Sequence, residues 1–541
     1  MPRAFPRPGP PVKPKAVSLI LNCHLPFIPS PEAHVGWEEP WLFEALSETY
    51  IPLLEMFDRL DADHVPFKIG LSLSPVLCHL LRNETLLTHY LDYVDLQIDF
   101  GARELERTVG DGETHPLARA WYDRVLDRRI LFTERYEMDI LNVLDLYQKR
   151  GRVEILTTAA THAFLPVHVS RPEAVQAQIE VALSSSRSIF GRNPQGFWLP
   201  ELGWCPGLDA FLRAYNISYT LVDTHGALMG SGEARRGAFY PVKTPSQIFI
   251  LIRDYYAHRD LFDPEHGYCA SPVYLDYYRD AGYELERNLV TAFRGARGER
   301  FPTGLKYWAQ GTGGKGRDTY DSEKARSEAR KHARFFLDNR VSRLDEAGAY
   351  MAETPISVCA YNADHLGRFW HEGFTFLEAV FRGGADREEI QFINPAEYLF
   401  KQNIPEMETV IPEFSSWGAN GYAETWLDSS NDWMHRHTMR ALERMIELAE
   451  RFPNDTGIKE RALNQAAREL LLAQASDWPR MLYRHEFPDY AQGSAEQFLR
   501  NFTTIYEALG SNHISTEWLT TLERRHNIFP HINYRVFRRK K

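Results

Sequence analysis

Short apolar runs alternate with stretches of helical period along much of the chain. Six runs read as buried strands, at 17–23, 67–72, 153–158, 196–199, 218–222 and 356–360. Between them, 41–60, 75–96, 174–190 and 208–215 repeat apolar residues at helical spacing. Pro75 suits a first helical turn, where a missing N–H costs nothing. This alternation predicts an α/β fold, with helices covering a parallel sheet. In barrels of this kind the chemistry gathers where strands end.

The alternation breaks over 224–350, which carries Gly-rich and charged stretches and a helical segment at 322–338. That span reads as an inserted lid or second domain. From Asp432 onward the pattern is helical, at 435–452, 457–476, 495–509 and 516–526. Residues 1–14 hold six prolines and are expected to form a disordered lead. The expected domains are therefore the lead at 1–14, a barrel over 15–223 and 351–412, the insertion at 224–350, and a helical domain over 413–541.

Composition narrows the function. The chain has 541 residues, 44% hydrophobic and 25% charged, which suits globular domains and excludes disorder over most of its length. A net charge of −11 argues against nucleic acid as a partner. No apolar run reaches the ~18 residues of a membrane span, so no membrane partner is expected. The apolar core of 16–23 is too short for a signal peptide, and Asn22 is a poor cleavage site. Five scattered cysteines without a Cys-x-x-Cys pair fit a reducing compartment, and the cytoplasm is expected. Aromatics make up 13% of the chain, including 12 Trp, a supply of flat faces on which sugars stack.

The expected strand ends carry polar residues. They read Asn22-Cys23-His24, then Thr161-His162, then Trp198-Leu199-Pro200-Glu201, and finally Asn362-Ala363-Asp364-His365 through Arg368 and Trp370. A later loop holds Trp417 and Trp426. Glu201 stands out as a carboxylate among aromatics at a strand end, a setting that suits a nucleophile or an acid–base group. A carboxylate, histidines and tryptophans at one barrel mouth suit glycoside cleavage, where two carboxyls flank the bond, about 5–5.5 Å apart in retaining enzymes. No two histidines stand four apart, so metal-binding His-x-x-x-His is absent, and neither a metal nor another cofactor is expected.

Longer motifs carry a resemblance. The stretch from Glu39-Pro40-Trp41-Leu42 to Pro52-Leu53-Leu54, with Ala159-Ala160-Thr161-His162, Trp198-Leu199-Pro200-Glu201, Val222-Asp223-Thr224-His225-Gly226 and Ser476-Asp477-Trp478-Pro479, resembles glycoside hydrolase family 57. The likeness is to its branch of α-1,4-glucan branching enzymes and AmyC-like relatives, and runs from about Val17 to Leu509. It implies an incomplete (β/α)7 barrel with an inserted lid and a helical C-terminal domain. It also implies a retaining mechanism without metal. By its motifs Glu201 falls on the nucleophile, and His24 and His162 on sugar-binding histidines. Trp417 and Trp426 fall on acceptor-side tryptophans, and Trp370 on another cleft aromatic. Trp198 and Trp478 are further substrate-binding candidates within the matched motifs.

Departures from the family pattern coincide at one place. Asn22 stands where the family has the first His of His-x-His, and Asn362 where it has its acid–base Asp. Asp364 replaces the following Glu, and Arg368 a His. An Asn has no proton to give, and acid–base help is worth ~10²–10⁴-fold. Asp364 is a candidate to take over the acid role, since its side chain shares a strand face with position 362. Asp254 or Glu265 from the insertion are alternatives, and Arg368 could meet an anionic leaving group. The expected function is a retaining α-glucan glycosidase or transglycosidase acting on glycogen, amylose or maltodextrin. The alternative is an α-glucan-binding relative with impaired catalysis.

Overall fold

Residues 15–30, 38–295, 298–311, 318–402 and 404–539 are described by a computed structural model. Residues 1–14, with the expected lead, lie outside them. Among the described residues nine strands form one sheet. They are β1 (Lys15–Cys23), β2 (Ile69–Leu73), β3 (Val153–Thr158), β4 (Gly196–Trp198), β5 (Tyr219–Val222), β6 (Val242–Lys243), β7 (Phe249–Ile252), β8 (Ile356–Asn362) and β9 (Ile390–Phe392). The six expected strands are present. β8 runs past its apolar stretch, so Asn362 is its last residue.

The strand order is β6-β7-β5-β4-β3-β2-β1-β8, and only β6 and β7 pair antiparallel. β9 pairs with Lys15–Val17 at the start of β1, while β2 pairs with its later residues. The ends of the curled sheet meet at one isolated bridge, where Arg253 pairs with Val358 and the Asp254 N–H donates to the Val358 carbonyl at 2.9 Å. The seven parallel strands along this path, from β7 to β8, curl into an incomplete (β/α)7 barrel, with β9 beside β1 off the path. Crossover helices cover it because a parallel sheet must bury both faces.

Two boundaries differ from the sequence reading. The span expected to leave the sheet at residue 224 still contributes β6 and β7, and β7 pairs in register with β5. Ile248 to Ile252 is apolar, but the strand holds four residues between a turn and Arg253, too short for its period to be read. The excursion from the sheet thus runs over 253–355. The helix expected over 75–96 is two, Pro75–Leu80 and Glu84–Arg107. Asn83 separates them by accepting from the Thr85 and Leu86 N–H groups, which starts the second helix.

The excursion is pinned to the barrel by charge. Arg340, on helix Ser322–Gly348, donates to Asp254 at 2.5 Å and to Asp260 at 2.7 Å. Asp254 also accepts from Ser357 of β8 at 2.7 Å and caps helix Tyr255–Phe262. Beyond the barrel, helices Asp432–Arg451, Ile458–Ala473, Asp477–Arg484 and Pro488–Gly510 form the C-terminal part. Among the described residues no helix is long and apolar enough to cross a membrane. Asp254→Ala removes one partner of a buried ion pair and is expected to cost about 3 kcal/mol or more of stability. Its urea or thermal unfolding midpoint measures that loss.

Candidate active site

The strands deliver polar groups at one end of the barrel. Asn22 and His24 follow from β1, Ser74 from β2, Thr161 and His162 from β3, and Glu201 from β4. Asp223 follows β5, Arg253 follows β7, and Asn362 ends β8.

Glu201 occupies a tight turn after β4, where its backbone is left-handed at φ 60°. His162 (φ 53°) and Leu202 (φ 49°) share that conformation. Such backbone is costly outside glycine and persists where surrounding contacts over-determine it. Here the contacts come from two distant segments. The Trp417 indole N–H donates to Glu201 Oε2 at 2.7 Å, and the Trp417 backbone N–H to the Glu201 carbonyl at 2.9 Å. The Ser476 hydroxyl donates to Glu201 Oε1 at 3.0 Å. Glu201 is 8% exposed. Burial pushes its carboxyl above the usual carboxylate range, against the Trp417 hydrogen bond and the positive charge of Arg480.

Trp417 is itself braced. Its ring meets Trp198 edge-on at 5.4 Å, and the Arg253 guanidinium lies 5.8 Å from its centre. Arg253 is fixed by a buried pair with Asp223, at 2.5 and 3.3 Å. Gly421 in the same loop has φ 79°, and a Cβ there would strike the His225 ring at 2.7 Å. That ring donates through Nε2–H to the Gly421 carbonyl, 2.7 Å away.

The two expected histidines come together. His24 and His162 stack with centres 4.1 Å apart and planes 8° from parallel. His162 Nδ1 lies 3.1 Å from Ser476 Oγ and 3.6 Å from Glu201 Oε1. Burial, and then the neighbouring His24, hold the His162 imidazole well below its usual pKa, so it is neutral. His24 spans Ser74 Oγ at 2.8 Å and Asp477 Oδ2 at 3.0 Å. Burial alone would raise the Asp477 carboxyl, but His24, Arg480 and His162 together hold it below the usual carboxylate range. His162 Nε2 is buried without a protein partner, a free position for a ligand hydroxyl.

Asn22 and Asn362 pair across β1 and β8 in register, and the Asn22 amide donates to Asn362 Oδ1 at 3.0 Å. Neither group titrates. Asp364 lies in the turn beyond, where Oδ1 accepts from the Thr49 hydroxyl at 3.2 Å. Gly367 lets this turn close on the helix carrying Thr49, since a Cβ there would meet the Glu48 carbonyl at 2.6 Å. Burial pushes the Asp364 carboxyl up, against the charge of Arg368 and the Thr49 hydrogen bond. Arg368 is engaged by Glu44 at 2.8 Å, which removes it as a waiting anion partner. Asp254 is locked to Arg340, and Glu265 is a solvent-exposed neighbour of His266, so neither is an acid for this site.

The tryptophans divide. Trp198, Trp370, Trp426 and Trp478 are at most 2% exposed, so none offers an open face for a sugar. Trp370 packs against Tyr274 and Phe376, and Trp426 stacks on Phe164 at 5.1 Å. Trp478 lies between Tyr490 and Phe498 and donates to the Leu472 carbonyl at 2.8 Å. These four pack the walls, and Trp417 alone of the five keeps exposed surface beside Glu201. Five further residues join the site without having been singled out individually from sequence: Thr49, Ser74, Arg253, Ser476 and Asp477. Thr49, Ser476 and Asp477 belong to matched motifs, whose polar positions were the available signal. Among the described residues no group of three or more His, Cys, Asp or Glu side chains is placed to hold a metal.

The chain matches two family models, Glycosyl hydrolase family 57 over 18–270 and the 1,4-alpha-glucan branching enzyme C-terminal family over 437–537. The alpha-amylase AmyC of Thermotoga maritima superposes with a TM-score of 0.91 and 32% identity, covering 98% of this chain and all of that one. A GH57-type branching enzyme of Pyrococcus horikoshii superposes with a TM-score of 0.87 and 26% identity over 97% of each chain. A 1,4-alpha-glucan branching enzyme of Thermococcus kodakarensis is 26% identical across 95% of this chain and 77% of its own length.

Trp417→Phe keeps a ring but removes the N–H that favours the Glu201 carboxylate. The Glu201 pKa is then expected to rise further. In a pH–rate profile on any turned-over glycoside, the acidic limb moves to higher pH than in the parent protein.

Proposed function

The chain belongs to glycosyl hydrolase family 57, and from that premise we propose that it acts on α-1,4-glucan as a retaining transglycosidase of the branching type. As a family member it is a glycoside hydrolase or transferase by class. Glycogen, amylose and maltodextrin are the substrates this reading names. The observation that carries it is Glu201, a carboxylate held in left-handed backbone and hydrogen-bonded by Trp417 and Ser476. No cation pairs with it directly among the described residues, so its electron pair is free for an anomeric carbon. Five free cysteines support a reducing compartment, for which the cytoplasm is our reading.

In this mechanism Glu201 attacks the anomeric carbon and forms a glycosyl ester. The departing sugar oxygen takes a proton, and a 6-hydroxyl of a second chain then displaces the ester. Asn362 cannot give that proton. Asp364 is the group we assign to it, because its burial raises its carboxyl above the usual carboxylate range, the direction an acid needs. Activity then requires Glu201 ionised and Asp364 protonated. The rate is expected to rise as Glu201 loses its proton and to fall as Asp364 loses its own. Trp417 offers an acceptor a partly open ring beside the nucleophile.

A second reading is favoured by one observation. The Asn22–Asn362 pair puts two neutral amides side by side at adjacent strand ends, where neither moves a proton. On that reading the protein binds α-glucan and turns it over weakly or not at all.

An amylose assay separates the readings by following iodine colour and new reducing ends together. Branching lowers the colour with few new ends, whereas hydrolysis releases many. Glu201→Gln is expected to abolish either, and Asp364→Asn to slow it by about 10²–10⁴-fold. A parent protein that turns nothing over, yet is retarded in an amylose-containing gel, supports the binding reading instead.

A further inference from the structure

Helix Asp477–Arg484 begins at the nucleophile. Ser476, just before it, bonds Glu201, and Asp477 bonds His24. Arg480 stands four residues after Ser476 and three after Asp477, on the same helical face. Arg484 stands four residues further along that face. Both arginines reach the same carboxylate, Glu486, at 2.9 and 3.8 Å, so neither has a carboxylate partner of its own there. Arg480 is partly open, with 31% of its side chain exposed. Its charge reaches Glu201 and Asp477, and together with Arg484 and burial it helps depress His365 to about 4. His365, next to Asp364, is therefore neutral and adds no competing cation.

Two features of this site thus belong together. Glu201 and the neutral Asn22–Asn362 pair both stand at the strand ends of the barrel, and two arginines follow the Glu201 partner Ser476 along one helical face. We propose that the site takes donors with a phosphate leaving group, α-glycosyl phosphates, whose phosphate is held by Arg480 with Arg484 behind it. The proposal rests on Glu201 being the nucleophile.

The chemistry balances without an acid from the protein. A phosphate monoester has its second pKa near about 6, so a fraction of the donor at neutral pH is the monoanion. Glu201 attacks C1 of that monoanion, and the bond from C1 to the phosphate oxygen breaks. Its electron pair leaves as hydrogen phosphate, HPO₄²⁻. A glucan hydroxyl then attacks C1 of the ester, the Glu201 carboxylate is regenerated, and the hydroxyl proton passes to hydrogen phosphate or water. Arginine suits this role because its fork matches phosphate oxygens.

The test gives the full-length protein α-maltosyl phosphate or α-maltosyl fluoride, each with maltodextrin as acceptor, and measures phosphate and fluoride release. Fluoride leaves without a proton from the protein and reports the nucleophile alone. The proposal expects release from both donors and loss of both in Glu201→Gln. It further expects Arg480→Gln to lower the phosphate-to-fluoride ratio of kcat/KM about tenfold or more, the scale of one hydrogen bond to a charged group. Arg484→Gln is expected to lower the ratio less. Fluoride release without phosphate release overturns the donor class and leaves Glu201 standing. A ratio unmoved by Arg480→Gln overturns the phosphate site. Release from neither donor overturns the nucleophile and the proposal with it.

Discussion

A buried carboxylate must be hydrogen-bonded to stay ionised, and Glu201 draws its two side-chain donors from parts of the chain far from its own strand. Much of the architecture around the barrel mouth follows from that need. The loop carrying Trp417 has to lie across the strand ends, and it does so through the Trp204–Ser415 bridge and the His225–Gly421 contact. The C-terminal helices have to dock so that Ser476 and Asp477 reach the barrel. Neither segment completes the site alone, so the barrel and the helical region form one functional unit.

The same contacts order the charges. Asp477 holds His24, His24 stacks on His162, and His162 shares Ser476 with Glu201. With His162 neutral, Glu201 has no ion-pair partner among the described residues. At the ends of β1 and β8, Asn22 and Asn362 form a neutral amide pair through one hydrogen bond, and Asn22 Oδ1 is left buried without a protein partner among the described residues. The environment of Asp364 differs from that of position 362, because Thr49 and Arg368 surround it.

Much of this was legible in the sequence, and the remainder depends on contacts between distant segments. β1, β3 and β8 announce themselves as apolar runs followed by polar residues, and the strand ends correctly gathered His24, His162 and Glu201. β7 escaped because four residues carry too little period to separate strand from loop, and only its pairing with β5 defines it. Trp478 illustrates a second limit. Its motif marks the site, but the residues that reach Glu201 and His24 are its neighbours Ser476 and Asp477, while the ring itself fills the helical core. Asp254 shows a third, since nothing near it in sequence foretells Arg340, and an apparently available acid is instead a structural anchor.

The central claim is that Glu201 forms a covalent bond to the sugar. Incubation with a 5-fluoro-α-glycosyl fluoride, which forms a glycosyl-enzyme faster than it is released, followed by peptide mass spectrometry, tests it most directly. The account predicts one glycosyl adduct, on the peptide containing Glu201 and at that residue. An adduct at Asp364, or none while the fluoride is still consumed, would contradict it.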